Sequence, residues 1–173
     1  MKVAFIDRDG TLIVGPRLLQ EDPPLYDEIL CIDQLQILPG VEEGLRALMN
    51  AGYLLVMVTN QEGLGSDTFP CEAFEMVQEE LQNRLKVKGI AFAEVFLCPH
   101  LPEENCICRK PLTGLVDDYL QANDVDRTTS LVIGDRISDE EFACNIGCAF
   151  IRAVADKQFP LKEIQLFLSA CSS

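Results

Sequence analysis

Short apolar runs alternate along the chain with amphipathic stretches. The runs are three to six residues long and largely apolar, which is typical of strands buried on both faces of a sheet. Ordinary helices need about ten residues or more, so runs this short are assigned to strands. The predicted strands cover residues 3–6, 53–58, 93–97, 131–133 and 149–151.

Between these runs, hydrophobic residues recur at the three- and four-residue spacing of an amphipathic helix. This spacing predicts helices over residues 41–49, 74–85, 112–122 and 161–168. A further helix is predicted at Ser138, because Glu141 three residues later completes a capping box. Residues 8–40 carry repeated glycines and prolines and are predicted as loop. The alternation indicates an α/β fold, an open parallel Rossmann-like sheet with helices on both faces.

The composition fits one globular domain. The chain has 173 residues, of which 48% are hydrophobic and 24% charged, and this balance is usual for a domain with its own core. We therefore expect a single domain over residues 1–173. No apolar run approaches the roughly 20 residues of a membrane span, and the chain enters a strand at once, so no signal peptide is expected. These features favour a cytoplasmic protein.

The charge balance narrows the classes of partner. Lys and Arg number 14 against 28 for Asp and Glu, which gives a formal net charge of −14. Nucleic-acid binding depends on cationic contacts with phosphates, so this class is disfavoured. Binding to an anionic membrane surface is disfavoured for the same reason. The oligomeric state is left open.

Polar side chains follow the ends of the predicted strands. Asp7 and Asp9 come directly after the first strand, Thr59 after the second and Asp135 after the fourth, while Lys110 lies further along the chain. Ligands of open α/β sheets bind outside the carboxyl ends of the strands. Carboxylates that converge there repel one another unless a cation joins them, and oxygen ligands suit Mg²⁺. The hydroxyl and the ammonium suit the oxygens of a phosphoryl group.

Three of the eight cysteines surround the only histidine. Cys98, His100, Cys106 and Cys108 offer three thiolates and an imidazole within one short loop, which predicts a tetrahedral structural zinc site. Such a site has no open coordination position, so the metal would shape the loop; free thiols beside a surface histidine are the alternative. The other cysteines are expected to be small buried residues; they are Cys31, Cys71, Cys144, Cys148 and Cys171.

Four segments resemble the motifs of the haloacid dehalogenase superfamily of phosphatases. They are residues 5–11, 59–60, 109–111 and 134–135. Residues 60–65 and the cysteine loop extend the resemblance to the histidinol-phosphate phosphatases, which form the N-terminal domain of a bifunctional histidine-biosynthesis enzyme. The resemblance implies a sheet of haloacid dehalogenase type with no large cap domain. A single histidine could not supply the metal sites of the dehydratase domain, so we expect only the phosphatase half.

The resemblance implies four catalytic residues. Asp7 would be the nucleophile and form an aspartyl-phosphate, which splits the cleavage of the ester into two easier steps. Asp9 would protonate the leaving oxygen and then take a proton from the hydrolytic water. Thr59 and Lys110 would hold the transferring oxygens and stabilise their charge.

The resemblance also implies how Mg²⁺ would be held. Its ligands would be the carboxylates of Asp7 and Asp135 and the backbone carbonyl of Asp9. Asp139 would order a metal-bound water. The metal would screen the repulsion between an anionic nucleophile and an anionic phosphate.

The substrate implied by the resemblance is histidinol phosphate, a small phosphate ester that carries an ammonium and an imidazole. The loop over residues 60–70 holds acids and no basic residue, which favours a cationic substrate. The segment after the first motif is also acidic, with Gln20, Glu21, Asp22, Asp27 and Glu28 against Arg17. The predicted substrate-binding residues are Asn60, Gln61, Glu62 and Arg109, with Glu62 chosen for the amine.

Two other classes of function stay open. A heptose bisphosphate phosphatase of the same superfamily shares the zinc loop, but its second phosphate calls for extra Arg or Lys. The second class is a non-catalytic phosphate-binding module built on this fold. The presence of Asp7, Asp9, Asp135 and Lys110 argues against it.

Overall fold

A parallel sheet of five strands runs through the middle of the protein. The computed structural model describes residues 1–19 and 25–171. The strands are β1 (Lys2–Ile6), β2 (Arg17–Leu19), β3 (Leu25–Asp27), β4 (Tyr53–Asn60), β5 (Glu94–Cys98), β6 (Leu131–Gly134) and β7 (Ala149–Arg152). The α-helices are α1 (Val41–Asn50), α2 (Cys71–Lys86), α3 (Asp117–Ala122), α4 (Ile137–Ile146) and α5 (Leu161–Ala170). Among the described residues, no helix is long and apolar enough to cross a membrane.

Strand β1 lies at the centre of the main sheet. The strand order is β5-β4-β1-β6-β7, and every neighbouring pair is parallel. The carboxyl ends of β1, β4 and β6 therefore meet at one edge, as the sequence predicted. The α/β fold with a parallel sheet is confirmed. Strands β2 and β3 form a separate antiparallel hairpin.

Alternate residues of β1 pack into two cores. Ala4 and Ile6 belong to the core that also includes side chains of α1, α2 and α5. Val3 and Phe5 belong to the other core, where the ring of Phe5 meets that of Phe142 on α4 edge-on, with centroids 6.4 Å apart. Helices therefore cover both faces, which explains why the strand is apolar throughout.

Three local predictions were wrong in detail. Helix α3 begins at Asp117 and not at residue 112, because Gly114 makes a turn whose amide donates to the carbonyl of Ile107 at 3.0 Å. Helix α4 begins at Ile137, and the carboxylate of Asp139 accepts the amide of Arg136 at 3.0 Å, so the cap lies two residues before the predicted one. The hairpin β2–β3 lies inside the predicted loop 8–40. It was not predicted, because the glycines and prolines of this segment indicated a loop.

The five scattered cysteines do not lie in the core. Four of them are exposed and Cys148 is half-buried, so the expectation of small buried thiols was wrong. The prediction treated the apolar character of the thiol as decisive, although a residue this small also fits on an exposed helix face or turn. The four exposed cysteines are Cys31, Cys71, Cys144 and Cys171.

Truncation of Phe142 tests the second core. Phe142 is fully buried, so Phe142→Ala should lower the free energy of unfolding by about 3–5 kcal/mol, through lost burial and the cavity that remains. The measurement is urea denaturation followed by circular dichroism. Leu166→Ala is the matched control, because Leu166 is 71% exposed, and it should change the free energy by less than about 0.5 kcal/mol. Equal effects of the two substitutions would contradict the assigned core.

Candidate active site

A cavity of about 380 Å³ opens at the carboxyl edge of the sheet. Its wall includes four predicted catalytic residues: Asp7, Asp9, Thr59 and Lys110. They come from the end of β1, the end of β4 and the segment after the cysteine loop. The fold thus brings together residues that are up to 103 positions apart in the chain.

Lys110 joins two carboxylates inside this wall. Its Nζ lies 2.6 Å from Asp7 Oδ1 and 2.6 Å from Asp139 Oδ1, and it donates to the carbonyl of Val58 at 2.7 Å. All three charged residues are buried, with Asp139 only 1% exposed. Burial raises the pKa of Asp7, and Lys110 opposes that rise. Burial lowers the pKa of Lys110, but Asp7 and Asp139 outweigh it, so the pKa is raised and the ammonium is kept.

Three carboxylates converge beside Lys110. Ligand atoms of Asp7, Asp135 and Asp139 all lie within 4.8 Å of one another. Burial and then Asp139 raise the pKa of Asp135, which shows the cost of crowding anions there. Gly10, with φ of +80°, leaves room for this group, because a Cβ at that position would lie 2.7 Å from Asp135 Oδ2. This set of hard oxygen donors, with Asp7 and Asp139 buried and Asp135 half-buried, fits Mg²⁺.

Asp9 is held through both of its carboxylate oxygens. Arg8 Nη1 lies 2.8 Å from Oδ1, and Gln61 Nε2 donates to Oδ2 at 2.6 Å. The same Gln61 nitrogen lies 2.7 Å from Thr59 Oγ1. Gln61, predicted to bind substrate, therefore links Asp9 to Thr59 and is only 4% exposed.

The predicted zinc ligands converge at the end of β5. Cys98 Sγ lies 3.6 Å from Cys106 Sγ and 3.2 Å from Cys108 Sγ, and His100 Nδ1 lies 3.1 Å from Cys108 Sγ. The four ligand atoms are all within 4.8 Å of one another, close to the edge lengths of a tetrahedron with zinc–sulfur bonds of about 2.3 Å. The donor set and its spacing fit a structural zinc ion.

Asn60 fastens the end of the cysteine loop to β4. Its Oδ1 accepts the backbone amide of Lys110 at 3.0 Å, and its Nδ2 donates to the carbonyl of the same residue at 3.2 Å. Both contacts fix the backbone from which the ammonium reaches Asp7. Asn60 also lines the cavity, so its predicted contact with substrate stays a prediction.

Two glutamates of the cavity wall, Glu28 and Glu62, differ in the groups around them. Glu62 forms a short ion pair with Arg109, so these two predicted substrate-binding residues contact each other. Glu28 also lines the cavity; burial, then Asp9 and Glu62, raise the pKa of Glu28 to about 7. Of the acidic segment predicted around it, residues 20–24 lie outside the described part of the chain.

Two cations beside the carboxylates were missed by the sequence analysis. Arg136 lines the cavity, and the neighbouring Asp7 and Asp135 raise the pKa of its guanidinium against the effect of burial. Arg8 is buried behind Asp9. Arg136 could have been found from its place directly after the strand-end residue Asp135, whereas no sequence signal marks Arg8 as buried.

Comparisons with known proteins agree with this geometry. The family model described as "Polynucleotide kinase 3 phosphatase" matches residues 2–154. The Histidine biosynthesis bifunctional protein HisB of Legionella pneumophila (strain Lens) is 43% identical over 87% of this chain and 40% of its own length. The HisB protein of Campylobacter jejuni (strain 81-176) is 40% identical over 95% of this chain and 44% of its own. The chain therefore spans about two fifths of the length of these relatives.

Solved structures show the same fold. The D,D-heptose 1,7-bisphosphate phosphatase from B. bronchiseptica, complexed with magnesium and phosphate, superposes with a TM-score of 0.73 at 30% identity, covering 87% of this chain and 79% of the other. A HAD-like phosphatase from Mesorhizobium loti has a TM-score of 0.80 at 23% identity, with 98% and 85% covered. This chain belongs to the polynucleotide kinase 3 phosphatase family, within the haloacid dehalogenase superfamily.

Proposed function

We propose that the protein is a Mg²⁺-dependent phosphatase that hydrolyses histidinol phosphate to histidinol and inorganic phosphate. The observation that carries the reaction is the buried group of Asp7, Lys110 and Asp139, with Asp9 in the same cavity wall. The substrate is supported by the HisB relatives, whose name places them in histidine biosynthesis. A single domain over residues 1–173 and a cytoplasmic location belong to the same proposal.

The reaction would proceed in two steps on Asp7. In the first, a carboxylate oxygen of Asp7 attacks phosphorus, the ester bond breaks, and Asp9 gives its proton to the leaving oxygen. In the second, Asp9 takes a proton from water, the water oxygen attacks the phosphoryl group, and the Asp7 carboxylate leaves. Lys110 favours the ionised form of Asp7 that the first step needs.

Other residues would position the transferring group. The Thr59 hydroxyl and the Lys110 ammonium would stabilise the charge on its oxygens. Asp7, Asp135 and the backbone carbonyl of Asp9 would hold Mg²⁺, with Asp139 near them. When bound, the metal would screen the repulsion between Asp7 and the phosphate.

Zinc would act on structure only. With Cys98, His100, Cys106 and Cys108 as ligands, it would have no open position for substrate. It would fix the loop that ends two residues before Lys110, and thereby the place of the ammonium.

The charges around the cavity favour a small cationic ester over the alternatives. Glu62 is already neutralised by Arg109, so we assign the substrate amine to Glu28, which lines the cavity and forms no ion pair with any residue whose side chain the structure describes. A bisphosphate would need cations for its second phosphate, but Arg109 is paired with Glu62 and Arg136 lies beside Asp7 and Asp135. Heptose bisphosphate is the second candidate substrate, because the heptose bisphosphate phosphatase is 30% identical to this chain. The net charge of −14 disfavours a polynucleotide.

Asp7→Asn should abolish turnover, because the amide keeps the shape of the side chain and removes its nucleophilic charge. Asp9→Asn should lower kcat by about 10²- to 10⁴-fold. Phosphate release from histidinol phosphate with Mg²⁺ is the measurement, with exposed Asp118→Asn as the matched control. Near-full activity of Asp7→Asn would end the proposed mechanism.

Protein purified without added metal should contain about one zinc per chain, measured by elemental analysis. Cys106→Ser should lose that zinc and much of the activity, because the loop before Lys110 loosens. Cys144→Ser, at an exposed cysteine, should change neither. Active wild-type protein without zinc would argue against a structural metal.

Histidinol phosphate should be hydrolysed with a higher kcat/KM than heptose bisphosphate at equal Mg²⁺ and salt. Glu28→Gln should raise KM for histidinol phosphate about tenfold and leave the hydrolysis of p-nitrophenyl phosphate unchanged, because the second ester carries no cation. Exposed Glu72→Gln is the matched control. Preference for the bisphosphate would refute the substrate, and an equal effect of Glu28→Gln on both esters would refute the role of Glu28.

A further inference from the structure

Arg8 is a buried cation that the proposed reaction does not use. It lies between Asp7 and Asp9 in sequence, and only 2% of it is exposed. It does not line the cavity, whereas Asp9 does. Burying a guanidinium is unfavourable unless charge and hydrogen bonds compensate it, so its partners indicate what it is there for.

The partners of Arg8 lie on two sides. Its Nη1 is 2.8 Å from Asp9 Oδ1, and its Nε donates to Gln78 Oε1 at 3.0 Å. Its Cζ lies 5.0 Å from the centroid of the Phe74 ring. Phe74 and Gln78 are four residues apart on α2 and so share one helix face. Arg8 therefore connects Asp9 to Gln78 on α2, which is 70 positions from Arg8 in the chain.

Gln78, which accepts the hydrogen bond from Arg8, is itself held in place. Gln78 is 7% exposed, and its Nε2 lies 3.3 Å from Met57 Sδ on β4. The amide therefore has little freedom to rotate, and its oxygen stays directed at Arg8. The planar guanidinium carries donors on two sides and can bind the Asp9 carboxylate and the Gln78 amide at once. The ammonium of a lysine is a single point charge and could not reach both groups in this way.

The two carboxylate oxygens of Asp9 are therefore held by two different residues. Gln61, in the cavity wall, binds Oδ2, and Arg8, outside the cavity, binds Oδ1. Without Arg8 the carboxylate would keep one fixed oxygen and could rotate about it. An aspartate that must serve first as proton donor and then as proton acceptor needs one orientation toward the reacting oxygens.

We propose that Arg8 is a positioning residue for Asp9, which it holds against α2 in the orientation for proton transfer to the leaving oxygen. The inference rests on the proposed phosphatase function. It differs from a general stabilising role, because the loss of Arg8 should impair only the step that depends on Asp9.

The test compares leaving groups in single-turnover experiments. An alkyl ester such as histidinol phosphate needs a proton on its leaving oxygen, whereas 2,4-dinitrophenyl phosphate does not. Arg8→Gln should slow the transfer from the alkyl ester by about 10- to 100-fold and the dinitrophenolate burst by less than about threefold. Arg84→Gln, the same substitution on α2 at a partly exposed arginine, should leave both rates unchanged.

A double-mutant cycle adds the second readout. In an Asp9→Asn background, Arg8→Gln should cause no further loss on histidinol phosphate, because the group that it positions is gone. If Arg8→Gln does not fold, Gln78→Leu should show the same leaving-group pattern with a smaller loss.

The outcomes separate this inference from the proposed function. Equal losses on both esters, or a loss that persists in the Asp9→Asn background, would give Arg8 a structural role and overturn the inference. A wild-type protein that hydrolyses neither ester would refute the phosphatase function itself, and the inference with it.

Discussion

The buried ion pairs of Lys110 are the interaction on which the site depends. Lys110 lies 2.6 Å from both Asp7 and Asp139, and these residues come from the end of β1 and from α4. Removing one partner of a buried pair of this kind costs about 3–5 kcal/mol, since the other charge stays buried. The lysine therefore fixes the relative positions of Asp7, helix α4 and the segment that carries the lysine itself.

That segment has little regular structure, so its position must come from elsewhere. Lys110 follows a loop in which four possible zinc ligands converge, and Asn60 holds the backbone of Lys110 from β4. Asp7 is positioned by the buried strand β1, whereas Lys110 would be positioned by a bound metal and by the side chain of Asn60. The proposed zinc site and the proposed catalytic site are thus parts of one arrangement.

Three cations lie close to the carboxylates of the site. Lys110 lies among them, Arg136 faces them from the cavity wall, and Arg8 lies behind Asp9. Glu28 lines the same cavity. In a chain of net charge −14, the buried Lys110 and Arg8 and the more exposed Arg136 compensate the acids where they are most crowded.

The parallel sheet, the carboxylates at its edge and the Cys/His cluster could all be predicted from the sequence, because strand patterns and motifs are local in the chain. The tertiary structure decided which group each polar side chain contacts. Gln61 and Asn60 hold Asp9 and Lys110, and Glu62 is paired with Arg109. The partners in these pairs are 47 to 52 positions apart, and no periodicity or spacing along the chain reports contacts at that separation.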